Sequence, residues 1–427
     1  MSRLMKDSGV EWIGLIPDTW KLIRGKYLFT ERNERGNKKE LQLLSPTQRY
    51  GVVPQEVYEE LSGMKAVKLE DSIDLASLKS IYVGDYCISL RSFQGGFEYS
   101  KYNGVVSPAY HVFHKTKLLD DGYYRYLFKD RSFIDKMASL TKTFRDGKSI
   151  AFVDFSGSFI PFPPVEEQRR IASFLNHKCE EINGVIAETE KTIEEYKALK
   201  QSIITETVTK GVRGKRTMKY SGIEWVGQIP SEWDVVRIKT LFDYRNERNN
   251  KPLEEVNLIS LYTDKGVVQH CDLEETTGNK ASNADGYKLV YQDDIVVNII
   301  LCWMGAIGRS SYSGVTSPAY DVYSPKPKTN SEFYHYYFRT SGFSGDCYKY
   351  GRGIMAMRWR TYSDEFRALQ VVCPSVEEQD EIVAYLDEKC KAIEKLIENK
   401  QKLLAELESY KKSVIYEYVT GKKEVTV

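Results

Sequence analysis

The feature that most constrains this chain is that it repeats itself. GVEWIGLIPDTW at residues 9–20 returns as GIEWVGQIPSEW at 222–233, an offset of 213. RNER at 32–35 returns at 245–248. GVVSPAYHVF at 104–113 meets GVTSPAYDVY at 314–323, an offset of 210. VEEQRRIASFLNHKCEEI at 165–182 meets VEEQDEIVAYLDEKCKAI at 376–393, an offset of 211. Four blocks with so little drift define a tandem duplication. A period this long calls for two copies of a domain pair and excludes a solenoid of short repeats.

Each copy changes character partway. Its first part is rich in Tyr and Gly, with short alternating apolar runs such as SIYVGDYCISL at 80–90 and KLVYQDDIVVNII at 288–300. These read as strands between turns, with helical segments at 123–137 and 333–348, hence a mixed α/β domain. After Pro163-Pro164, and again after Pro374, come about 45 residues without Pro, rich in Glu, Lys, Ile and Leu. Pro ahead of Glu-Glu-Gln suits a helix start, the carboxylates facing the positive end of the helix dipole. The expected domains are therefore 1–160, 161–213, 214–372 and 373–427.

Spacing identifies the helices. Ile171, Leu175, Lys178, Ile182, Val185, Thr189, Ile193, Tyr196, Leu199 and Ile203 step by three and four. So do Ile382, Leu386, Lys389, Ile393, Leu396, Lys400, Leu404, Leu407, Tyr410 and Val414. This is a heptad-like seam with polar interruptions at matching places. Each helix is expected to run roughly 65 Å at ~1.5 Å per residue. Two matched seams predict antiparallel pairing of the helices as a coiled coil, with pseudo-twofold symmetry between two globular domains.

SGxEWxGxIPxxW opening each globular part, SPAY near its end and PxVEEQxxI leading each helix resemble the specificity subunit of type I restriction-modification systems, the HsdS family. The resemblance spans both halves in order. It implies two target recognition domains, each reading one half of a split double-stranded DNA site, and helices that space them and dock other subunits. Those partners would be two methyltransferase (modification) subunits using S-adenosylmethionine and ATP-driven restriction, or translocase, subunits. The specificity subunit itself would be non-catalytic and hold no cofactor.

The residues give the same answer on catalysis. Asn or Asp followed by Pro-Pro and an aromatic, the amino-methyltransferase signature, is absent: PFPPV at 161–165 lacks the first residue. No GxGxxG follows a strand, and Asp146-Gly147-Lys148-Ser149 has Lys142 where a phosphate loop needs Gly. His111 and His114, three apart in an expected strand, point to opposite faces and suit no metal. The seven cysteines include no CxxC, so neither a disulfide framework nor a zinc site is expected. No run approaches the ~18 apolar residues of a membrane span, and no signal peptide is recognisable, which favours the cytoplasm. A coiled-coil scaffold without a nucleic-acid role is the alternative reading.

A net charge of +1 excludes a generally basic coat, so DNA contacts must be local. Two runs qualify. TKTFRDGKS at 141–149 carries Lys142, Arg145 and Lys148; YKYGRGIMAMRWR at 348–360 carries Lys349, Arg352, Arg358 and Arg360 without an acid. Glycine lets a backbone approach DNA, arginine grips phosphate or guanine, and aromatic rings add contact to bases. These seven cations are the expected DNA-binding residues. Arg32 and Arg245 of RNER fit either a phosphate contact or an ion pair on a helix surface. Trp12, Trp20, Trp225 and Trp233 are expected to anchor each domain's first turn. Residues 36–103 and 249–313 share little, so the two halves should prefer different bases and the site should be asymmetric.

Overall fold

The computed structural model describes residues 3–36, 42–65, 77–89, 96–140, 150–270, 284–353 and 359–426. They divide into two compact units, Met1–Glu190 with Lys402–Val427, and Lys191–Gln401. Each unit thus holds one globular part and a stretch of both long helices.

The two globular parts share one plan. In the first unit an antiparallel sheet runs, in spatial order, Phe29–Arg32, His111–Lys115, Tyr86–Ile88 and Phe97–Tyr99. In the second the order is Phe242–Arg245, Tyr320–Pro325, Ile295–Asn298 and Ile307–Arg309. A helical pair follows each sheet, Asp121–Leu127 with Arg131–Leu140, and Ser331–Phe338 with Ser341–Tyr350. Side chains of Asp120, Asn330 and Thr340 cap these helices, satisfying amides that would otherwise lack partners. A strand pair closes each part, Lys21–Arg24 with Phe159–Phe162 and Asp234–Arg237 with Gln370–Cys373. The expected mixed α/β class is borne out. In the first copy the hairpin strand Gly51–Pro54 runs into the helix Gln55–Ser62.

Aromatic side chains fill the first core, where Phe29, Tyr86, Phe97, Phe113, Phe128 and Phe155 are all buried. Phe113 and Phe155 have ring centroids 4.8 Å apart. The long helices complete both cores. Ile171 and Leu175 at the start of the helix Val165–Lys210, and Val414 and Val419 at the end of the helix Val376–Val419, belong to the first core. Ile204, Val208, Ile382 and Leu386 play the matching part in the second. Trp20 and Trp233 are fully buried, as expected for anchors. A left-handed glycine ends each helix beside one of them. At Gly421 (φ 75°) a Cβ would stand 2.5 Å from Pro17 and 3.0 Å from Trp20, so the chain approaches there as only glycine can.

Within each unit the helices pair antiparallel. In the first, Phe174 meets Tyr418 with ring centroids 4.4 Å apart, and Lys411 donates to Asn183 at 2.6 Å. In the second, Lys200 bonds Glu394 at 2.5 Å and Arg213 bonds Glu381 at 2.8 Å. The seam differs from the expected one at four places. Val185, Leu199, Leu396 and Tyr410 are exposed, while the next residues, Ile186, Lys200, Ile397 and Lys411, turn inward. One residue is about 100° of helix rotation, and pairing two helices fixes which neighbour lies at the contact. Lys200 and Lys411 fit because each has a polar partner across the seam.

The repeated VEEQ is a clamp. Gln168 and Gln379 are fully buried. Gln168 accepts from the Asp120 amide at 2.9 Å and donates to the Pro163 carbonyl at 2.8 Å. Gln379 does the same to Asn330 (2.8 Å) and Pro374 (2.9 Å). Glu378 accepts from Trp233 Nε1 at 2.9 Å and from Arg216 at 2.5 Å. Each helix start is thereby tied to its sheet and helical pair. Replacing Gln379 by Leu strands a buried amide and a buried carbonyl and is expected to cost about 2–4 kcal/mol. Urea unfolding of the full chain checks this; loss below about 1 kcal/mol would show the clamp to be dispensable.

Candidate nucleic-acid interface

Of the seven predicted DNA-binding residues, Lys142, Arg145, Lys148 and Arg358 lie outside the described residues. The other three come together in the second unit. Lys349 sits in the last turn of the helix Ser341–Tyr350. Arg352 and Arg360 face each other across a two-residue backbone bridge, with N–H···O distances of 2.8 and 2.9 Å. This bridge brings Arg352 and Arg360, from the two sides of the basic run, together. Arg352 pairs with Glu365 and remains 75% exposed at its side chain. Lys349 lies 3.6 Å from Glu224, both well exposed. The Lys349–Glu224 pair, exposed at both ends, contributes little to stability and exchanges readily for phosphate.

Of the aromatic partners of this loop, Tyr348 and Trp359 lie in the run read from the sequence, and only Trp303 was missed. Trp359 stacks on Tyr348, ring centroids 5.0 Å apart and 25° between planes, and Trp303 meets Tyr348 at 5.5 Å. The alternation of Tyr and Trp with Arg in YKYGRGIMAMRWR was the available signal; Trp303, 45 residues before Tyr348, had none.

RNER resolves as an ion pair, on a strand instead of the expected helix. Arg32 ends the strand Phe29–Arg32 and grips Asp85 through Nε (2.8 Å) and Nη2 (3.2 Å) and Glu34 through Nη1 (2.7 Å). Its guanidinium lies 4.7 Å from the Tyr82 ring. Arg245 repeats this with Asp294 (2.9 and 3.2 Å), Glu247 (2.6 Å) and Tyr291 (4.6 Å). These carboxylates hold both guanidinium pKa values above the ordinary range, although burial opposes the rise. The second arginines hold backbone: Arg35 donates to Ser77 O at 2.6 Å and Arg248 to Gly286 O at 3.0 Å. Both acceptors lie within the stretches that diverge between the copies, which are thus tied to a common frame. His111 is held by Glu31 at 2.7 Å. Among the described residues no group of His, Cys, Asp and Glu could hold a metal ion, and no helix is long and apolar enough to cross a membrane.

Two clefts occupy matching places. In the second unit Gly222, Ile223 and Glu224 face Asp346, Lys349, Tyr350 and Glu365 across about 550 Å³. In the first, Gly9, Val10, Glu11 and Trp12 face Lys136, Leu140 and Asp154 across about 480 Å³. The repeated Gly-x-Glu and an acid opposite it recur in both.

The sheets differ electrostatically at their outer strand. Glu98 is buried, with Lys129 Nζ 2.5 Å away. Burial pushes its carboxyl up to about 7, against the pull of Lys129. The matching position in the second unit is Gly308, and half-buried His335 takes the space, its Nδ1 accepting from the Arg309 amide at 3.1 Å. Burial, then the charges of Arg339, Arg309 and Lys200, push this imidazole down to about 3.

These shifts act in opposite directions. Folded Glu98 keeps a proton that the unfolded chain has lost, so stability falls as pH rises from about 4.5 to about 7. Unfolded His335 takes a proton that the folded chain refuses, so stability falls as pH drops from about 6.5 to about 3. Glu98→Gln is expected to add about 1–3 kcal/mol at pH 8 and little at pH 4.5. Urea unfolding at the two pH values checks it; an equal effect at both would exclude titration of Glu98.

Comparison with known proteins fits this geometry. Residues 230–409 match the family described as Type I restriction modification DNA specificity domain. The chain is 33% identical over 135 residues to the Type I restriction enzyme MjaVIII specificity subunit of Methanocaldococcus jannaschii, covering 31% of this chain and 29% of that one. It is 28% identical over 280 residues to the putative type I restriction enzyme MjaX specificity subunit of the same organism, covering 62% and 59%. The matches therefore span less than two thirds of either relative. Among solved structures, a chain from work on complex assembly and conformational transition of the type I R-M system aligns with a TM-score of 0.72 at 15% identity, covering 96% of this chain and 99% of that one. The HsdS subunit from Thermoanaerobacter tengcongensis aligns at 0.54 with 16% identity, covering 96% and 98%. These two establish the shared fold, and the resemblance read from the sequence is borne out.

Proposed function

We propose that this chain is the DNA-reading, non-catalytic subunit of a restriction-modification complex, a reading supported by the match of residues 230–409 to the family described as Type I restriction modification DNA specificity domain. It reads an asymmetric bipartite site in double-stranded DNA, one half by residues 1–160 and the other by 214–372. Residues 161–213 and 373–427 space the two readers and dock partners: two methyltransferase subunits, joined by restriction subunits.

One observation carries the reading. The same sheet and helical pair are built twice, while the stretches tied down by Arg35 and Arg248 and the basic loops differ. A fixed frame with two different reading surfaces is what an asymmetric site requires, because base edges differ between half-sites and phosphates do not. The matched clefts beside Glu11 and Glu224 support docking of one partner type twice, since like surfaces bind like partners. The polar residues at the helix starts drop out of that surface, Gln168, Gln379 and Glu378 being buried.

The decisive experiment is the methylation pattern of the host genome with and without this chain. Loss of methylation at one bipartite sequence supports the reading; an unchanged pattern, with no duplex binding by the purified chain, leaves the coiled-coil scaffold in its place. With the site known, replacing Lys142, Arg145 and Lys148 by Ala is expected to weaken contact with one half-site. Replacing Lys349, Arg352, Arg358 and Arg360 should weaken the other, each lost phosphate contact lowering the salt slope by about one. Binding equal to wild type at matched salt would show that these loops face away from DNA. Mixed with its methyltransferase, the chain should form a complex containing two such subunits, read from its mass in solution.

A further inference from the structure

The aromatic group beside the basic loop lies at the edge of the core. Cys302 and Cys347 are buried in the core of the second unit, Trp303 packs half-buried against it, and Tyr348 stands outside it. Tyr348 is 48% exposed, Tyr350 52% and Met304 53%. Yet the group is held rigidly. Asn298 Oδ1 accepts from the Ile300 amide at 3.0 Å, and Trp303 Nε1 donates to Ile300 O at 2.9 Å. Trp359 Nε1 donates to Tyr348 O at 2.9 Å. The Thr361 amide donates to Ile299 O at 2.9 Å, and its hydroxyl to Cys347 O at 2.8 Å. Both indole N–H groups are spent internally, so the ladder offers flat ring faces.

Cations flank the ladder along the chain. Lys349, Arg352 and Arg360 are its neighbours in sequence, and Arg352 and Arg360 form the backbone bridge from which Trp359 projects. Flat aromatic surface flanked by positive charge suits nucleobases on a phosphate backbone, which supply both a π-face and negative charge. The first unit has no aromatic ring at the position of Tyr348. Helix caps at Asp130 and Thr340 place Ala138 where the second unit has Tyr348.

We infer that Trp303, Tyr348 and Trp359 form a stacking platform for bases of the half-site read by residues 214–372, inserted at a step the DNA can unstack. This rests on the DNA-reading function proposed above and adds to it a stacking contact in the half read by residues 214–372. Bases stacked on aromatic rings are insensitive to sequence, but unstacking a step is not, so the platform favours a flexible pyrimidine–purine step in that half-site.

The test uses the full chain and a duplex carrying the site found by methylation mapping, with 2-aminopurine placed at successive positions of each half. One position in the second half is expected to brighten on binding. Tryptophan emission should be quenched by this duplex, and the quench should disappear in Trp359→Phe with Trp303→Phe. Trp359→Ala should weaken cognate binding about 10-fold, with Trp359→Phe within about threefold of wild type. Should Trp359→Ala lower the melting temperature, the wild-type 2-aminopurine and quenching signals decide alone. Duplex binding without quench or 2-aminopurine change overturns the platform and leaves DNA reading intact. Quenching by the methyltransferase instead of the duplex makes the ladder a protein contact and also overturns it. A chain that neither binds duplex nor alters genome methylation overturns both.

Discussion

Neither globular part closes its own core. Each requires the first turns of the helix that follows it and the last turns of the other long helix, with Val414 and Val419 in the first core and Ile204 and Val208 in the second. Every buried methylene there adds roughly 0.8 kcal/mol, so the helix ends are part of domain stability. The buried glutamines then set where each helix begins, because Gln168 and Gln379 can satisfy both partners only at one rotation and height. From that constraint follow the antiparallel contacts within each unit and the choice of which seam residues turn inward.

The same frame explains how two copies can diverge without losing their fold. Arg32 and Arg245 bind matching aspartates, and Arg35 and Arg248 hold backbone carbonyls, whose chemistry is the same whatever the side chain. A stretch anchored by backbone is free to change its residues. Compensation is visible elsewhere too. Lys79 and Lys288 occupy the same buried place, but Lys79 lies 3.8 Å from Glu31 on one strand, and Lys288 bonds Asp321 on the neighbouring one at 2.8 Å. The outer strand has gone further, exchanging a buried carboxyl for a glycine and an imidazole.

Much of the architecture was legible. The repeat, the switch from two-residue to heptad periodicity, and prolines before Glu-Glu-Gln were enough for the duplication, the mixed α/β class and the long helices. The same sequence was less informative where one residue type serves two purposes. RNER read equally as a phosphate contact and as an ion pair, since its partners Asp85 and Asp294 lie 49 to 53 residues away. The helix-start glutamines read only as part of a helix start, because a polar side chain gives no sign that two backbone groups wait for it in the core. The aromatic ladder was half visible, as a run of Tyr, Trp and Arg whose third ring came from a distant turn.

What the sequence determined by itself was therefore everything local or periodic: two copies, their strands and helices, and a stripe along each long helix. Periodicity is a property of neighbouring residues and needs no fold to be read. Tertiary structure alone decided which side of each near-tie faces inward, such as Ile186 over Val185 and Ile397 over Leu396. It also decided which arginines are consumed by carboxylates and which remain open to solvent. Those outcomes depend on groups brought together from far along the chain, and sequence spacing does not carry that information.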